Sequence, residues 1–257
     1  MVAIKAGIQG LRTLEIIGTI ALIDSDHIDD ALVKKILEKH KNIRTIYRIS
    51  GETYGEFRIR PLELVYGPDE SLTKHKENQC TFLVDVKRTY FNPRLSGERS
   101  FVVDFIKKNR LKYVLDAFAG VGPFSIQIAK FSMPKLVVAI DKNPMAYELL
   151  RKNVELNKVQ DRVVCLCMDS KYVNRYFRQM FDIAIMNFPI SPEEFLDSIV
   201  PVTKKYVILY KIIERHKIEK FIKKIERKQP LDHILYKSIK SISPSKDMFR
   251  IIFKRRR

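Results

Sequence analysis

Tryptophan is missing from this chain, cysteine occurs three times, and no uncharged apolar run approaches the ~20 residues that a membrane-spanning helix needs. The first residues, "MVAIKAGIQG", lack the basic-then-apolar pattern of a signal peptide, so the expected location is the cytoplasm, with no membrane partner. Cys80, Cys165 and Cys167 fit no zinc spacing, and an odd count argues against a disulfide framework; they are expected to be packing residues. Five scattered histidines offer no ligand set, so no metal is expected, and His75 and His216 read as surface residues. Acid is also scarce. Against 48 Lys plus Arg stand 30 Asp plus Glu, a formal charge of +18 spread along the chain and ending in "KRRR". Solvated helical faces usually balance lysine with glutamate, so this excess points to a polyanionic partner, nucleic acid above all.

What is present is enough for a core: 257 residues accommodate one large α/β domain and a smaller one. In the first third, "LEIIGTIALI", "RTIYRIS" and "GEFRIRPLELVYG" read as strands, and "HIDDALVKKILEKH" as an amphipathic helix capped by Asp26 or Ser25. The polar stretch "PDESLTKHKENQ" marks a junction, giving a small α/β module over 1–78 and a second domain over 79–257. In the second domain "YVLDAFAG", "KLVVAIDKNP", "RVVCLCMD", "FDIAIMNFP" and "KYVILYKI" are continuous apolar runs separated by helical segments. That pattern predicts a Rossmann-like parallel sheet covered on both faces.

Ligands of such sheets sit beyond the carboxyl ends of the strands, where these runs end in Asp116, Asp141, Asp169 and Asn187. The turn "AGVGPF" places Pro123 and Phe124 where a pyrophosphate loop would want another glycine. Asp141 is placed to accept ribose hydroxyls and Asp169 the exocyclic amine of an adenine, while Asp116 favours a cation. Together they suit S-adenosylmethionine; the plainer alternative is that each acid merely caps the next helix. "MNFPISPEEF" resembles the Asn-Pro-Pro-aromatic motif of methyltransferases acting on base nitrogens, with Phe188 and Ile190 in place of its first proline and its aromatic. Its plainer alternative is a strand-to-helix turn capped by Ser191.

Upstream, "KRTYFNPRLSGERSFVVDFI" reads as a strand-like run ending at "NP", with a helix starting near "GER". Tyr90, Pro93 to Leu95, Glu98 and Arg99 resemble the Tyr-Phe-Ser-Pro-Arg-Leu-x-x-Glu-Arg signature of the archaeal and eukaryotic tRNA guanine-37 N1-methyltransferases. "DAFAGVGPFSI", "IDKNPMAYELLRKNVELNK" and "NFP" are similar to later motifs of that family, in its order. The resemblance spans residues 14 to 257.

The resemblance implies an S-adenosylmethionine-dependent methyltransferase acting on tRNA at its anticodon stem-loop, expected to be a monomer. It implies Glu98 as general base and an arginine at the guanine O6, Arg58 or its neighbour Arg60 on the same side of an alternating strand. Tyr90 would order the site, with Asn187 and Pro189 at the target base and the methionine end. Leu115, Asp116, Phe118, Ala119, Gly120, Gly122, Asp141, Asn143 and Asp169 would hold the cofactor, and Arg60, Pro93, Arg94 and Arg99 the substrate. Without the family, Glu98 reads as a first-turn acid favourable to a helix dipole. Members usually carry a further N-terminal domain for the outer corner of tRNA, and this chain starts almost directly after it. It is expected to be a short form or a fragment that leans on the stem-loop and its basic surface. Alternatives are methylation of a wyosine precursor at position 37, aminocarboxypropyl transfer, another RNA or a protein as substrate, and a non-catalytic RNA-binding protein.

Overall fold

The computed structural model describes residues 11–25, 27–51, 53 and 55–256. Its first sheet runs β1 (Leu11–Ile17), β2 (Ile20–Ser25), β3 (Thr45–Ile49) and β4 (Leu62–Tyr66) in that spatial order. The single strand expected over "LEIIGTIALI" is a hairpin. Gly18, at φ +59°, turns the chain so close to β5 (Leu72–Glu77) that a Cβ there would lie 2.2 Å from Thr73 Oγ1. Helix α1 (Asp30–Lys39) crosses from β2 to its parallel partner β3 and buries Leu32 and Ile36. Its cap is Asp29, whose carboxylate accepts the Leu32 amide at 2.8 Å. Ser25 instead donates to the His27 carbonyl, and Asp26 lies outside the described residues.

"GEFRIRPLELVYG" is only half a strand. Residues 55–58 form a turn, with Gly55 at φ +69° and Arg58 at φ +56°, so Arg58 and Arg60 do not share one face of a regular strand. The expected junction at 78/79 is the tip of a hairpin between β5 and β6 (Cys80–Asp85), with Asn78 and Gln79 both at positive φ. A boundary ahead of β5, near Gly67, leaves that hairpin whole. The helix expected near "GER" is α2 (Ser96–Lys108), but the strand before it ends at Asp85 rather than at "NP".

The main sheet has the order β12-β13-β11-β10-β7-β8-β9. Strands β7 (Tyr113–Asp116), β8 (Leu136–Asp141), β9 (Val163–Cys167), β10 (Phe181–Met186) and β11 (Thr203–Glu214) are the five apolar runs, all parallel. β12 (Leu231–Ser241) and β13 (Lys246–Arg255) add an antiparallel edge. Helices α3 (Pro123–Phe131), α4 (Pro144–Leu156), α5 (Val173–Tyr176), α6 (Leu196–Ile199) and α7 (Ile218–Lys228) complete the cover. The order reverses between β7 and β10, which opens a crevice at their carboxyl ends.

One core joins both parts. Ile17, Leu22 and Tyr47 of the first sheet pack in the same cluster as Phe82 of β6 and Val114 of β7. The second edge of β6 is met by two side-chain amides one helical turn apart, Asn153 on α4 and Asn157 at its C-cap. Asn153 exchanges bonds with the Leu83 backbone at 2.6 and 3.0 Å, and Asn157 with Thr81 at 3.0 and 2.7 Å. Asn153 also donates to the Val121 carbonyl at 2.9 Å, fixing the loop after β7. Of the cysteines, Cys80 is buried and Cys165 half-buried, and burial pushes both thiols up to about 11. Cys167 is exposed, which corrects its reading as a packing residue.

Candidate active site

The loop after β7 is built around a buried acid. Asp116 is 0% exposed; Ser125 Oγ donates to its Oδ2 at 2.6 Å, while Oδ1 has no hydrogen-bond partner although the Phe118 and Ser125 amides lie near. Burial pushes this carboxyl up to about 6, Ser125 opposing and Asp141 reinforcing the shift. Gly122, at φ +92°, has no room for a side chain, since a Cβ would sit 2.5 Å from Leu150 Cδ1. Gly120, at φ +56°, turns its amide to Asp141 Oδ2 at 2.6 Å.

Asp141 ends β8 and also accepts the Asn143 amide, at 2.9 Å. Burial raises this carboxyl and the two amides oppose. Each oxygen keeps a further lone pair, and Asp141 lines the cleft. Asn143 caps α4 through the Met145 amide and donates to the Arg88 carbonyl, so its side chain is committed to the protein. Asp169, after β9, accepts from the Lys171 amide at 2.9 Å and from Lys142 Nζ at 3.0 Å. Burial works to raise it, but those partners outweigh burial and hold it below its ordinary value. Lys142 also pairs with Glu56 and so ties the 55–58 turn across the cleft.

At the end of β10, the Asn187 side chain is half-buried and takes no hydrogen-bond partner among the described residues. Phe188, standing where the motif has proline, stacks on Phe118 with centroids 5.1 Å apart, and both pack on Phe195. Pro189 is buried behind them, its carbonyl accepting the Ile212 amide at 2.8 Å. Ser191 precedes the 3-10 turn Pro192–Phe195 but makes no side-chain cap bond.

Opposite lies Tyr90, with the Arg58 guanidinium 4.5 Å and that of Arg60 5.7 Å from its ring centroid. Arg60 pairs with Glu15 at 2.6 Å, and Arg94 lies 3.7 Å from the same carboxylate. Pro93 opens a 3-10 turn capped by Asn92. Two sequence expectations meet a different geometry here. Arg99 contributes to the cleft lining, yet it is 2% exposed and its guanidinium donates to both Glu77 oxygens at 2.6 Å and to the Asn92 carbonyl, so these donors are committed to the protein. Glu98 does not line the cleft; it accepts from Arg250 Nη1 at 2.6 and 2.8 Å and from Tyr210 at 3.3 Å.

These walls enclose a cavity of about 390 Å³, within the ~300–1,000 Å³ of small-molecule sites. Phe118, Ala119, Gly120, Asp141, Asn143, Asp169, Asn187, Tyr90 and Arg58 line it; Leu115, Asp116, Gly122 and Pro189 stand behind the lining. The fit to S-adenosylmethionine rests on the donor set. Asp141 and Asp169 offer acceptors for the nucleoside, Phe118 and Phe188 an aromatic wall, and Asp116 an unpartnered buried oxygen that prefers a cation nearby. The 55–58 turn, Lys142 and the Phe118–Phe188–Phe195 cluster escaped the sequence reading, the last because Phe188 occupies a motif proline. Among the described residues no cluster of metal-ligating side chains occurs, and no helix is long and apolar enough to cross a membrane.

Residues 73–234 match the model of the TRM5/TYW2 methyltransferase domain. The chain is 33% identical over 252 residues to the Methanocaldococcus jannaschii tRNA (guanine(37)-N(1))-methyltransferase Trm5b, covering 96% of this chain and 72% of that one. Its fold superposes on aTrm5 from the complex of aTrm5 and tRNALeu with a TM-score of 0.82 at 32% identity, over 95% of this chain and 72% of the other. On M. jannaschii TYW2 in complex with AdoMet the TM-score is 0.68 at 25% identity, over 95% of this chain and all of that one. The chain belongs to the TRM5/TYW2 methyltransferase family.

Proposed function

We propose that this chain transfers the methyl group of S-adenosylmethionine to N1 of guanosine 37 in the anticodon stem-loop of tRNA. The observation that carries this reading is one cleft lined together by the acids Asp141 and Asp169, by the unpartnered Asn187 amide and by the Tyr90–Arg58 pair. The cofactor, when bound, supplies an electrophilic methyl on a sulfonium. Asp141 and Asp169 hold its ribose and adenine, and the Phe118–Phe188 wall excludes water. Asn187 orients the base, and Arg58, which lines the cleft where Arg60 does not, donates to O6 as negative charge develops there. Glu98 takes the N1 proton; to reach it, the carboxylate must leave Arg250. The chain is proposed to act as a monomer.

The test is methyl-labelled S-adenosylmethionine with two tRNA transcripts that differ only in G or A at position 37, followed by mass spectrometry of the nucleosides. Label in 1-methylguanosine from the G37 transcript alone is expected. Label in neither transcript, with cofactor binding intact, removes the assignment. An aminocarboxypropyl adduct would move the chain to the other branch of the family.

Asp116 makes the fold pH-sensitive. Its folded value of about 6 exceeds the ordinary 3.8, so the folded chain holds this proton more tightly than the unfolded one. The stability it lends is full below about pH 4 and is lost as pH rises through about 6, on the order of 3 kcal/mol. Asp116→Asn should flatten that loss in denaturant titrations between pH 4 and 7. An unchanged pH slope would mean Asp116 is not the titrating group.

A further inference from the structure

Strand β11 outruns its parallel neighbour. Its last pairing with β10 sets Leu209 opposite Met186, yet it continues to Glu214 beside residues 187–190, held on its other edge by β13 as far as Lys246. This overhang donates hydrogen bonds to two consecutive carbonyls of the segment. The Ile212 amide reaches the Pro189 oxygen at 2.8 Å, and Lys211 Nζ reaches the Ile190 oxygen at 2.6 Å. The same ammonium donates to both Glu193 oxygens at 3.0 Å and lies 5.1 Å from the Phe221 ring centroid. Its side chain is only 10% exposed. An apolar side chain would fill this place without the cost of desolvating an ammonium. What the ammonium adds is a grip on the segment.

That segment carries Asn187, which lines the cleft and whose amide takes no hydrogen-bond partner among the described residues. No side-chain contact aims this amide, so its backbone must. Phe188 steadies the segment by stacking on Phe118, and the two bonds from β11 hold it at Pro189 and Ile190. We propose that Lys211 is a positioning residue: it clamps residues 187–190 against β11 and so keeps the Asn187 amide in one orientation within the cleft. This rests on the RNA methyltransferase reading and adds to it the group that fixes the geometry at the target base, where a displacement of about 1 Å can slow transfer about 10²-fold. Lys211 is not part of the cleft lining, so it acts through the segment and touches neither cofactor nor base. Glu193, its side chain 35% exposed, stays hydrated when the ammonium is deleted, so a Lys211 variant strands no buried charge and keeps the fold.

Because the chain has no tryptophan, Ile190→Trp gives the segment a lone fluorophore. Time-resolved anisotropy of this probe is measured with Lys211 intact, with Lys211→Met and with Lys211→Arg. The same Lys211 variants without the probe are assayed for single-turnover methyl transfer to the G37 transcript, cofactor and RNA both saturating. In Lys211→Met the nanosecond mobility of the probe should rise and transfer should fall about 10- to 100-fold, with Kd for S-adenosylmethionine and for the transcript within about threefold of the parent. Lys211→Arg keeps a charged donor and should fix the probe again and recover transfer to within about threefold. Glu193→Gln leaves the bond to Ile190 in place and should lose less than Lys211→Met. An unmoved probe in Lys211→Met overturns the clamp. A mobile probe with unchanged transfer, a loss confined to binding, or a Lys211→Arg variant that fixes the probe yet transfers as slowly as Lys211→Met overturns the positioning role. A parent that methylates neither transcript, with a probe that still loosens in Lys211→Met, leaves the clamp standing and removes the activity reading.

Discussion

Arg99→Met should lower the unfolding free energy by about 3–5 kcal/mol, the cost of removing one partner from a buried ion pair. Glu77, with its side chain 7% exposed, would keep its charge without a counterion. Gln127 Nε2 at 2.7 Å and His75 at 3.5 Å cannot replace a guanidinium that donates to both oxygens. The Asn92 carbonyl would lose the guanidinium and keep only the Leu95 amide at 3.2 Å, which loosens the turn that starts at Pro93. Burial works to raise the Glu77 carboxyl, but His75 and Arg99 outweigh it and hold it low. Its stabilisation is therefore present above its ordinary value and fades as pH falls through the lowered one. Arg99→Lys should recover little, because one ammonium cannot span Glu77 and Asn92 as the planar fork does. Glu77→Gln combined with Arg99→Met should cost less than the two losses added. Denaturant titration measures all four variants, and a loss under about 1 kcal/mol in Arg99→Met would show the pair to be dispensable.

The parallel sheet and the cofactor loop were legible because their signals are local: apolar runs for β7 to β11, and acids at strand ends beside glycines. The turn at 55–58 was not, because "GEFRIR" alternates like a strand and Arg58 gives no sign of its positive φ. Nothing local marks Asn153 and Asn157; only the edge of β6, seventy or more positions away, makes them partners of a strand backbone. The same distance hides the partners of Arg99 and Glu98. Residue type near a catalytic motif suggested substrate contact for Arg99, whereas hairpin β5–β6 supplies a buried acid that claims it.

Glu98→Gln should slow methyl transfer about 10²–10⁴-fold in single turnovers with cofactor and G37 transcript both saturating. Glutamine keeps the shape and the Tyr210 contact but cannot accept the N1 proton, so binding should change little. Glu98 is not in the cleft lining: Arg250, 4% exposed and stacked 3.4 Å over Phe101, clasps it from β13. Tyr210 packs against Phe124, which does line the cleft, so the carboxylate lies one layer behind it. Exchanging Arg250 for the guanine thus needs a side-chain swing rather than a refolded helix. Arg250→Met separates base from clasp. It should destabilise the fold, since Glu98 loses its counterion, yet retain transfer far above the Glu98→Gln rate in the folded fraction. If both variants lose transfer equally, and Glu98→Asp restores stability without restoring rate, the pair is a structural tie and the N1 proton leaves by another route.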